Sequence, residues 1–293
     1  MDTYKSNESD AAKQPANDSY EYNESNVRAR ASGHERLKER PRPIAIPANN
    51  GESVSALESV LTVLYRIGEI LLAVIVLLVS LPVMLIIAVF IRIDSPGPVF
   101  FRMERTGKSR RVPGSELLDN NSVRPPAEGF KQDRCYCVPT TFPFVKFRTM
   151  YVDAAKRFPE YYWWNYDLSQ QEVQNMYYKV QDDPRLTRVG QWLRKTSLDE
   201  LPNFWHILTG EAALVGPRPE GGKIQGFYTE QQMRKFTVKP GLTCLSKIYG
   251  RGDLPVGEQI KWDLEYADKR NVWLDIKIVF STIWLVLTQR GAF

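Results

Sequence analysis

From Ile70 to Ile91 the chain runs 22 residues without a charged side chain. A straight helix of that length would reach roughly 33 Å, enough to cross the hydrocarbon of a bilayer. Ser80 and Pro82 interrupt the run near its middle. Proline removes a backbone donor and clashes with the preceding turn, so the sequence predicts a sharp bend there. Two halves of about 10–12 residues are each too short to cross alone. Basic residues flank both ends: Arg28, Arg30, Arg36, Lys38, Arg40, Arg42 and Arg66 before, Arg92, Arg102, Arg105, Lys108, Arg110 and Arg111 after. Cytoplasmic flanks are enriched in Lys and Arg, so this pattern favours both ends on one side. A helix that enters one leaflet, kinks at Pro82 and returns satisfies it. A kinked helix that still spans is the alternative.

The surroundings of that run divide the chain into an N-terminal tail (1–58), a membrane segment (59–98) and a cytoplasmic domain (99–293). The tail is rich in Asn, Ser, charged residues and Pro, and it buries too little apolar surface to offset chain entropy. It is expected to be disordered. Residues 106–143 show weak periodicity and read as a long surface loop. The net charge of +5 suits a membrane surface or an anionic substrate. Three cysteines, Cys135, Cys137 and Cys244, form no paired framework and no zinc pattern. His34 and His206 are the only histidines, which argues against Ser-His-Asp hydrolysis and histidine-bound zinc. A basic nucleic-acid-binding membrane protein is a remote reading, and no nucleic-acid partner is expected.

Beyond the turn Asp94-Ser-Pro-Gly-Pro98, Val99–Met103 and Phe144–Met150 read as strands, the second carrying Lys146 and Arg148. Tyr151–Gln181 reads as helical and is crowded with Tyr and Trp, which suits either a headgroup layer or an aromatic core. Asp183–Lys195 reads as one basic helix with Pro184 near its start. Asp199 and Glu200 follow it. Ser197 and Glu200 have the spacing of a capping box, while two adjacent carboxylates at a helix start also suit a nucleophile and a metal ligand. Carboxylates among many cations are expected to have depressed pKa values. In Val215-Gly-Pro-Arg-Pro-Glu220, Pro217 and Pro219 fix the backbone around Arg218, which suits planar phosphate binding. Asp263 lies in a helical segment. Trp273–Leu287 is apolar but interrupted, and reads as a helix lying in the interface. The fold class is mostly α with short β-strands (α+β), a membrane-associated domain with a Pro-kinked re-entrant helix and interfacial amphipathic helices.

Taken together, the Pro-broken helix, Ser95-Pro-Gly-Pro-Val-Phe-Phe, Lys146-Phe-Arg-Thr-Met, Asp183-Pro-Arg-Leu-Thr-Arg-Val-Gly, Thr196-Ser-Leu-Asp-Glu-Leu-Pro, Val215-Gly-Pro-Arg-Pro, Lys239-Pro-Gly-Leu-Thr and Gly250-Arg make the chain resemble the monotopic phosphoglycosyl transferases, a group of bacterial sugar transferases. The resemblance runs from about Tyr65 to Ala292. It implies a re-entrant helix, the cytoplasmic face of the inner membrane, and transfer of a sugar-1-phosphate from a UDP-sugar to polyprenyl phosphate with release of UMP. It implies Asp199 as nucleophile and Mg²⁺ held by Glu200, with Asp199 beside it. It also implies Arg218 at the nucleotide, and phosphate or network roles for Lys146, Arg148, Arg251 and Asp263. Downstream glycosyltransferases and an oligomer are compatible partners. The chain departs from the family pattern at Met103, usually Gln. It departs again at Glu211-Ala-Ala, and at Cys244-Leu-Ser-Lys-Ile, where Gly-Trp-Ala-Gln-Val is usual. That last departure motivates an alternative, a catalytically altered relative that scaffolds an assembly complex.

Overall fold

The computed structural model describes residues 41–48, 56–120, 122–178, 180, 182–221, 224–250 and 253–288. It is mostly helical with short strands, as expected. Helix α1 (Ala56–Asp94) is continuous, with Pro82 inside it. Its Val60–Asp94 part is long and apolar enough to cross a membrane. Most of its large apolar side chains are exposed, among them Leu71, Ile75, Val79, Ile86 and Ile93. Two short patches are covered, Glu69 with Ala73 and Ile87 with Ile91, each pair at the four-residue spacing that places side chains on one helix face.

Both halves of α1 rest on the same folded body. In the first half Arg66 donates to the Ile207 and Ala212 carbonyls, and Glu69 accepts from the Leu214 backbone N–H at 2.7 Å. In the second half Ile87 and Ile91 pack with Phe147 and Leu193, and Asp94 accepts from the Val189 N–H at 3.0 Å. That last contact places a carboxylate at the start of α5 (Arg188–Thr196), where free amides and the helix dipole favour an anion.

Among the described residues three small sheets frame the helices. Strand β2 (Phe100–Thr106) pairs antiparallel with β5 (Thr141–Phe147), with Phe101 opposite Lys146. Strand β6 (Ala213–Val215) runs parallel to β7 (Gly241–Thr243). Between β6 and the Pro-Arg-Pro loop the backbones come very close: a Cβ on Gly216 would lie 2.3 Å from the Lys239 carbonyl oxygen. Only glycine permits that approach. The largest core cluster joins Val173, Ile224, Tyr228, Phe236 and two residues of α9 (Val256–Lys269), Val256 and Ile260. Helix α10 (Val272–Thr288) packs Ile278 against Val215, Leu245 and Tyr266. Its other faces expose Trp273, Phe280, Trp284 and Leu287.

Several expectations are corrected. Residues 106–143 are not a loop: β3 (Arg110–Pro113), α2 (Gly114–Leu118) and β4 (Cys135–Val138) lie within them. Strand β1 (Ile46–Pro47) joins β4 and β3 in a sheet of order β1-β4-β3. Tail residues Ala45 and Ile46 are therefore buried, Ala45 in a core with Val112, Leu117, Val123 and Tyr136. Most of the tail, residues 1–40 and 49–55, lies outside the described residues. Short apolar contributions from two distant segments build this unit, which is why periodicity within either one was weak.

Tyr151–Gln181 is not one helix. It holds α3 (Ala154–Arg157), two 3₁₀ turns and α4 (Gln170–Gln174). Pro159 stops the first helix, and Ser169 with Glu172 forms a capping box that starts the next. Trp163 and Tyr178 pack on the largest core cluster, the core reading of the aromatic stretch. Helix α5 begins five residues later than expected because Thr187 is its N-cap, donating no helical turn to 183–186 and accepting from the Gly190 N–H at 3.0 Å.

Candidate active site

The Asp-Glu pair sits in a 3₁₀ helix, Leu198–Phe204, between α5 and α6 (Trp205–Thr209). Ser197 adopts a left-handed conformation, φ 60°, and ends α5. Its side chain does not cap the next helix, so the capping-box reading fails. The reversal at Ser197 and the 3₁₀ geometry through Pro202 turn Asp199 inward. Seven residues is long for a 3₁₀ helix, a form that elsewhere marks strain or function. Asp199 is 5 % exposed.

Each carboxylate faces its own lysine. Lys146 Nζ lies 3.6 Å from Asp199 Oδ2. Lys247, on α8 (Leu245–Gly250), donates to Glu200 Oε2 at 2.7 Å and to the Leu242 carbonyl at 3.2 Å. The two acids then diverge. Burial pushes the Asp199 carboxyl above its ordinary range, and Lys146 only partly offsets it. Partial burial acts the same way on Glu200, whose side chain is 41 % exposed, but Lys247, Arg218 and Lys146 outweigh it and hold that carboxyl below its ordinary range. The expectation of depressed values therefore holds for Glu200 and fails for Asp199. Burial likewise lowers Lys146, with Asp199 pulling it back. The two adjacent acids therefore sit in different electrostatic surroundings.

His206 positions the lysine from behind. The Val145 backbone N–H donates to its Nε2 at 3.0 Å. Nε2 being an acceptor, Nδ1 carries the proton and donates to Glu211 Oε2 at 2.7 Å. The imidazole stacks on Phe144 with ring centres 5.3 Å apart. Residue 206 thus ties α6 to β5 beside Lys146.

The Pro-Arg-Pro loop is held by backbone contacts. Pro217 accepts from the Gly241 N–H at 3.0 Å, Pro219 from Arg105 Nη1 at 3.3 Å, and the Arg218 N–H donates to Asp263 Oδ2 at 3.2 Å. The Arg218 guanidinium lies 5.8 Å from the centre of the Tyr178 ring. Burial would lower its pKa, but Glu220, Cys244 and Glu200 raise it, which keeps it cationic. Arg105 stands close enough to Arg218 to feel its charge, and its buried Nε has no partner among the described residues.

Beneath this loop lies a fully buried ionic cluster. Lys235 Nζ donates to Asp263 Oδ2 at 2.6 Å and to Glu220 Oε1 at 3.2 Å, and Tyr178 donates to Glu220 Oε2 at 2.8 Å. Asp263 therefore supports the loop from below. Lys235, Glu220, Tyr178 and Lys247 were not singled out from the sequence. A lysine in a polar stretch looks like a solvated one until its burial is known.

Of the phosphate and network roles open to Arg148, its contacts are those of a network residue. It is 4 % exposed. Its Nε donates to Pro98, Nη1 to Ser95 Oγ and Pro96, and Nη2 to Ser95 and Ile91. A guanidinium has five N–H donors, and these contacts use them all. It clamps the turn that follows α1 and has nothing left for a phosphate. Ser80 and Pro82 lie inside α1, with the Ser80 hydroxyl donating to the Leu77 carbonyl at 3.4 Å. Arg251 lies outside the described residues.

Among the described residues no three His, Cys, Asp or Glu side chains form a metal cluster. Two adjacent carboxylates are still a hard-oxygen pair, and the Glu200 side chain is 41 % exposed. Magnesium is typically bound by one or two carboxylates together with substrate phosphates and water. Asp199 and Glu200 fit that kind of shared site, not a protein-only cage.

The family described as bacterial sugar transferase matches residues 60–112 and 123–289. The UDP-glucose:undecaprenyl-phosphate glucose-1-phosphate transferase of Escherichia coli is 33 % identical over 268 residues, covering 89 % of this chain and 47 % of that protein. The undecaprenyl-phosphate glucose phosphotransferase of Komagataeibacter xylinus is 31 % identical over 239 residues, covering 78 % and 36 %. The undecaprenyl-phosphate galactose phosphotransferase of Salmonella typhimurium is 36 % identical over 152 residues, covering 52 % and 32 %. The chain spans between about a third and a half of the length of these relatives.

Proposed function

The chain belongs to the bacterial sugar transferase family, and on that premise we propose that it moves a sugar-1-phosphate from a UDP-sugar to polyprenyl phosphate. The observation that carries this reading is the buried Asp199 beside Lys146, with Glu200 and the Arg218 loop alongside. Asp199 is the nucleophile. Its carboxylate oxygen bonds to the phosphorus that bears the sugar. The bond from that phosphorus to the bridging oxygen breaks, and UMP leaves with the electron pair. A phosphate oxygen of the polyprenyl acceptor then bonds to the same phosphorus and frees Asp199. Two transfers replace one difficult step, which is the advantage of covalent catalysis.

The residues act mainly by charge and position. Lys146 steadies the ionised nucleophile and the negative charge spread over the transferring phosphoryl group. Arg218, held on a rigid loop, binds the diphosphate in its planar donor geometry. Glu200 and Asp199 would hold magnesium, which would supply neutralising charge to the phosphates. Relatives are named for glucose and for galactose, so a panel of UDP-hexoses belongs in the first assay.

The membrane arrangement is part of the proposal. Both halves of α1 contact one body, a geometry that a straight crossing with the domain outside the bilayer does not provide. We read α1 as dipping into one leaflet and returning at Pro82, with α10 at the interface through Trp273 and Trp284. The enzyme then lies on the cytoplasmic face of the inner membrane. In a variant lacking the native cysteines, single cysteines at positions 60 and 104 should both label from the cytoplasmic side. Labelling of either one only from outside means a span.

The reaction is tested with purified protein, UDP-sugars, Mg²⁺ and polyprenyl phosphate, reading UMP. Asp199→Asn releasing UMP as fast as wild type removes the nucleophile assignment. No UMP from any common UDP-sugar, with binding to other glycosyltransferases, favours the scaffold reading.

A further inference from the structure

Lys247 sits in the stretch Cys244-Leu-Ser-Lys-Ile, and its ammonium is seated on the carboxylate assigned to the metal. Its other acceptor, the Leu242 carbonyl at 3.2 Å, holds it there from the adjacent strand. The side chain is 23 % exposed, so the contact is half-sheltered from water. With Lys146 on Asp199 and Arg218 near Glu200, the pair is surrounded by fixed positive charge. A divalent ion approaching Glu200 therefore meets a competing cation already hydrogen-bonded to it.

We propose that Lys247 is the resident counter-ion of Glu200, and that a divalent metal reaches this carboxylate only by displacing it. This rests on the reading of Glu200 as a metal-holding residue. Lys247 is then a positioning residue that sets how weakly the free enzyme holds metal. In the absence of metal it holds the Glu200 carboxylate by a direct hydrogen bond. Metal binding is coupled to the movement of one side chain on α8.

The test uses full-length protein in detergent and Mn²⁺ as a paramagnetic probe, counted by loss of the free-ion signal, with no nucleotide or lipid acceptor present. Its outcome is thus separate from the UMP assay. Lys247→Gln should bind Mn²⁺ at least roughly tenfold more tightly, because a like charge within contact distance is removed. Lys247→Arg keeps the charge and should bind as wild type does. Glu200→Gln combined with Lys247→Gln should lose the gain, which locates it at Glu200. Unchanged, weaker or undetectable Mn²⁺ binding by Lys247→Gln overturns the proposal. So does Lys247→Arg binding as tightly as Lys247→Gln.

Discussion

Lys146 Nζ stands 3.6 Å from Asp199 Oδ2 across two elements that are far apart in sequence. His206 fixes that spacing by bonding the Val145 amide from the helix that follows the acid pair. The arrangement separates residues that do chemistry from residues that hold them in place. The separation can be tested residue by residue.

Lys146→Met should reduce UMP release by about 10²–10³-fold, the usual cost of removing one preorganised charge. Removing Lys146 leaves the buried Asp199 carboxylate without its neighbouring cation, so a moderate fall in the thermal midpoint at pH 7 should accompany the loss of rate. Steady-state rates beside a melting curve check this. A large loss of stability with a matching loss of activity would make Lys146 structural.

Arg148→Lys should show the reverse pattern. The lysine cannot reproduce five donors in a fixed fork, so the turn at Ser95–Pro98 loosens and α1 detaches from β5. A fall of about 2–3 kcal/mol in unfolding free energy is expected from unsatisfied charged hydrogen bonds. Denaturant titration reads it. Whatever activity survives should keep its KM for the UDP-sugar.

Lys235→Met leaves Glu220 and Asp263 buried together without their shared cation. Breaking a buried pair from one side costs about 3–5 kcal/mol. The variant should unfold far more easily than wild type. Restoring stability by also changing Asp263 to Asn and Glu220 to Gln would show that stranded charge, not lost packing, is the cause.

Asp199→Asn should abolish turnover and raise the thermal midpoint by a few degrees at pH 7 without added metal. The sign follows from burial. The folded-state pKa of Asp199 is raised, so the folded chain holds its proton more tightly than the unfolded chain. The stability this contributes is present at low pH and is lost as pH rises through the raised value. A neutral asparagine does not lose it, so the gain should shrink as pH is lowered toward the ordinary carboxylate range. A lower midpoint than wild type at pH 7 would show that Lys146 needs its partner more than Asp199 suffers from burial.

Replacing Trp273 and Trp284 together with serine should lower binding to anionic lipid vesicles about tenfold or more, judged by co-sedimentation, because both are large, apolar and exposed on α10. Unchanged sedimentation would remove α10 from the membrane surface.

Two stretches of the candidate site could be picked out in the sequence because they are short and local. Asp199-Glu200 is an adjacent pair, and Pro217-Arg218-Pro219 fixes its own backbone. What could not be read depends on contacts between distant segments. Arg148 had both phosphate and network roles open to it until Ile91 and Ser95–Pro98 were seen to take all its donors. Ser197 and Glu200 had the letters of a capping box, but Ser197 took a left-handed conformation to end α5. The 106–143 stretch looked unstructured because its core partner, Ala45, lies before α1. Helix α10 and the long apolar run were readable for the opposite reason, since each carries its pattern within one element.

The central claim is that Asp199 forms a covalent bond to the transferred phosphosugar. Intact-protein and peptide mass spectrometry of the full chain with a UDP-sugar, before any polyprenyl phosphate is added, tests it most directly. The account predicts a sugar-phosphate adduct on the peptide containing Asp199, lost on adding polyprenyl phosphate and absent from Asp199→Asn. Rapid UMP release with the adduct on another residue, or with turnover retained in Asp199→Asn, would contradict it.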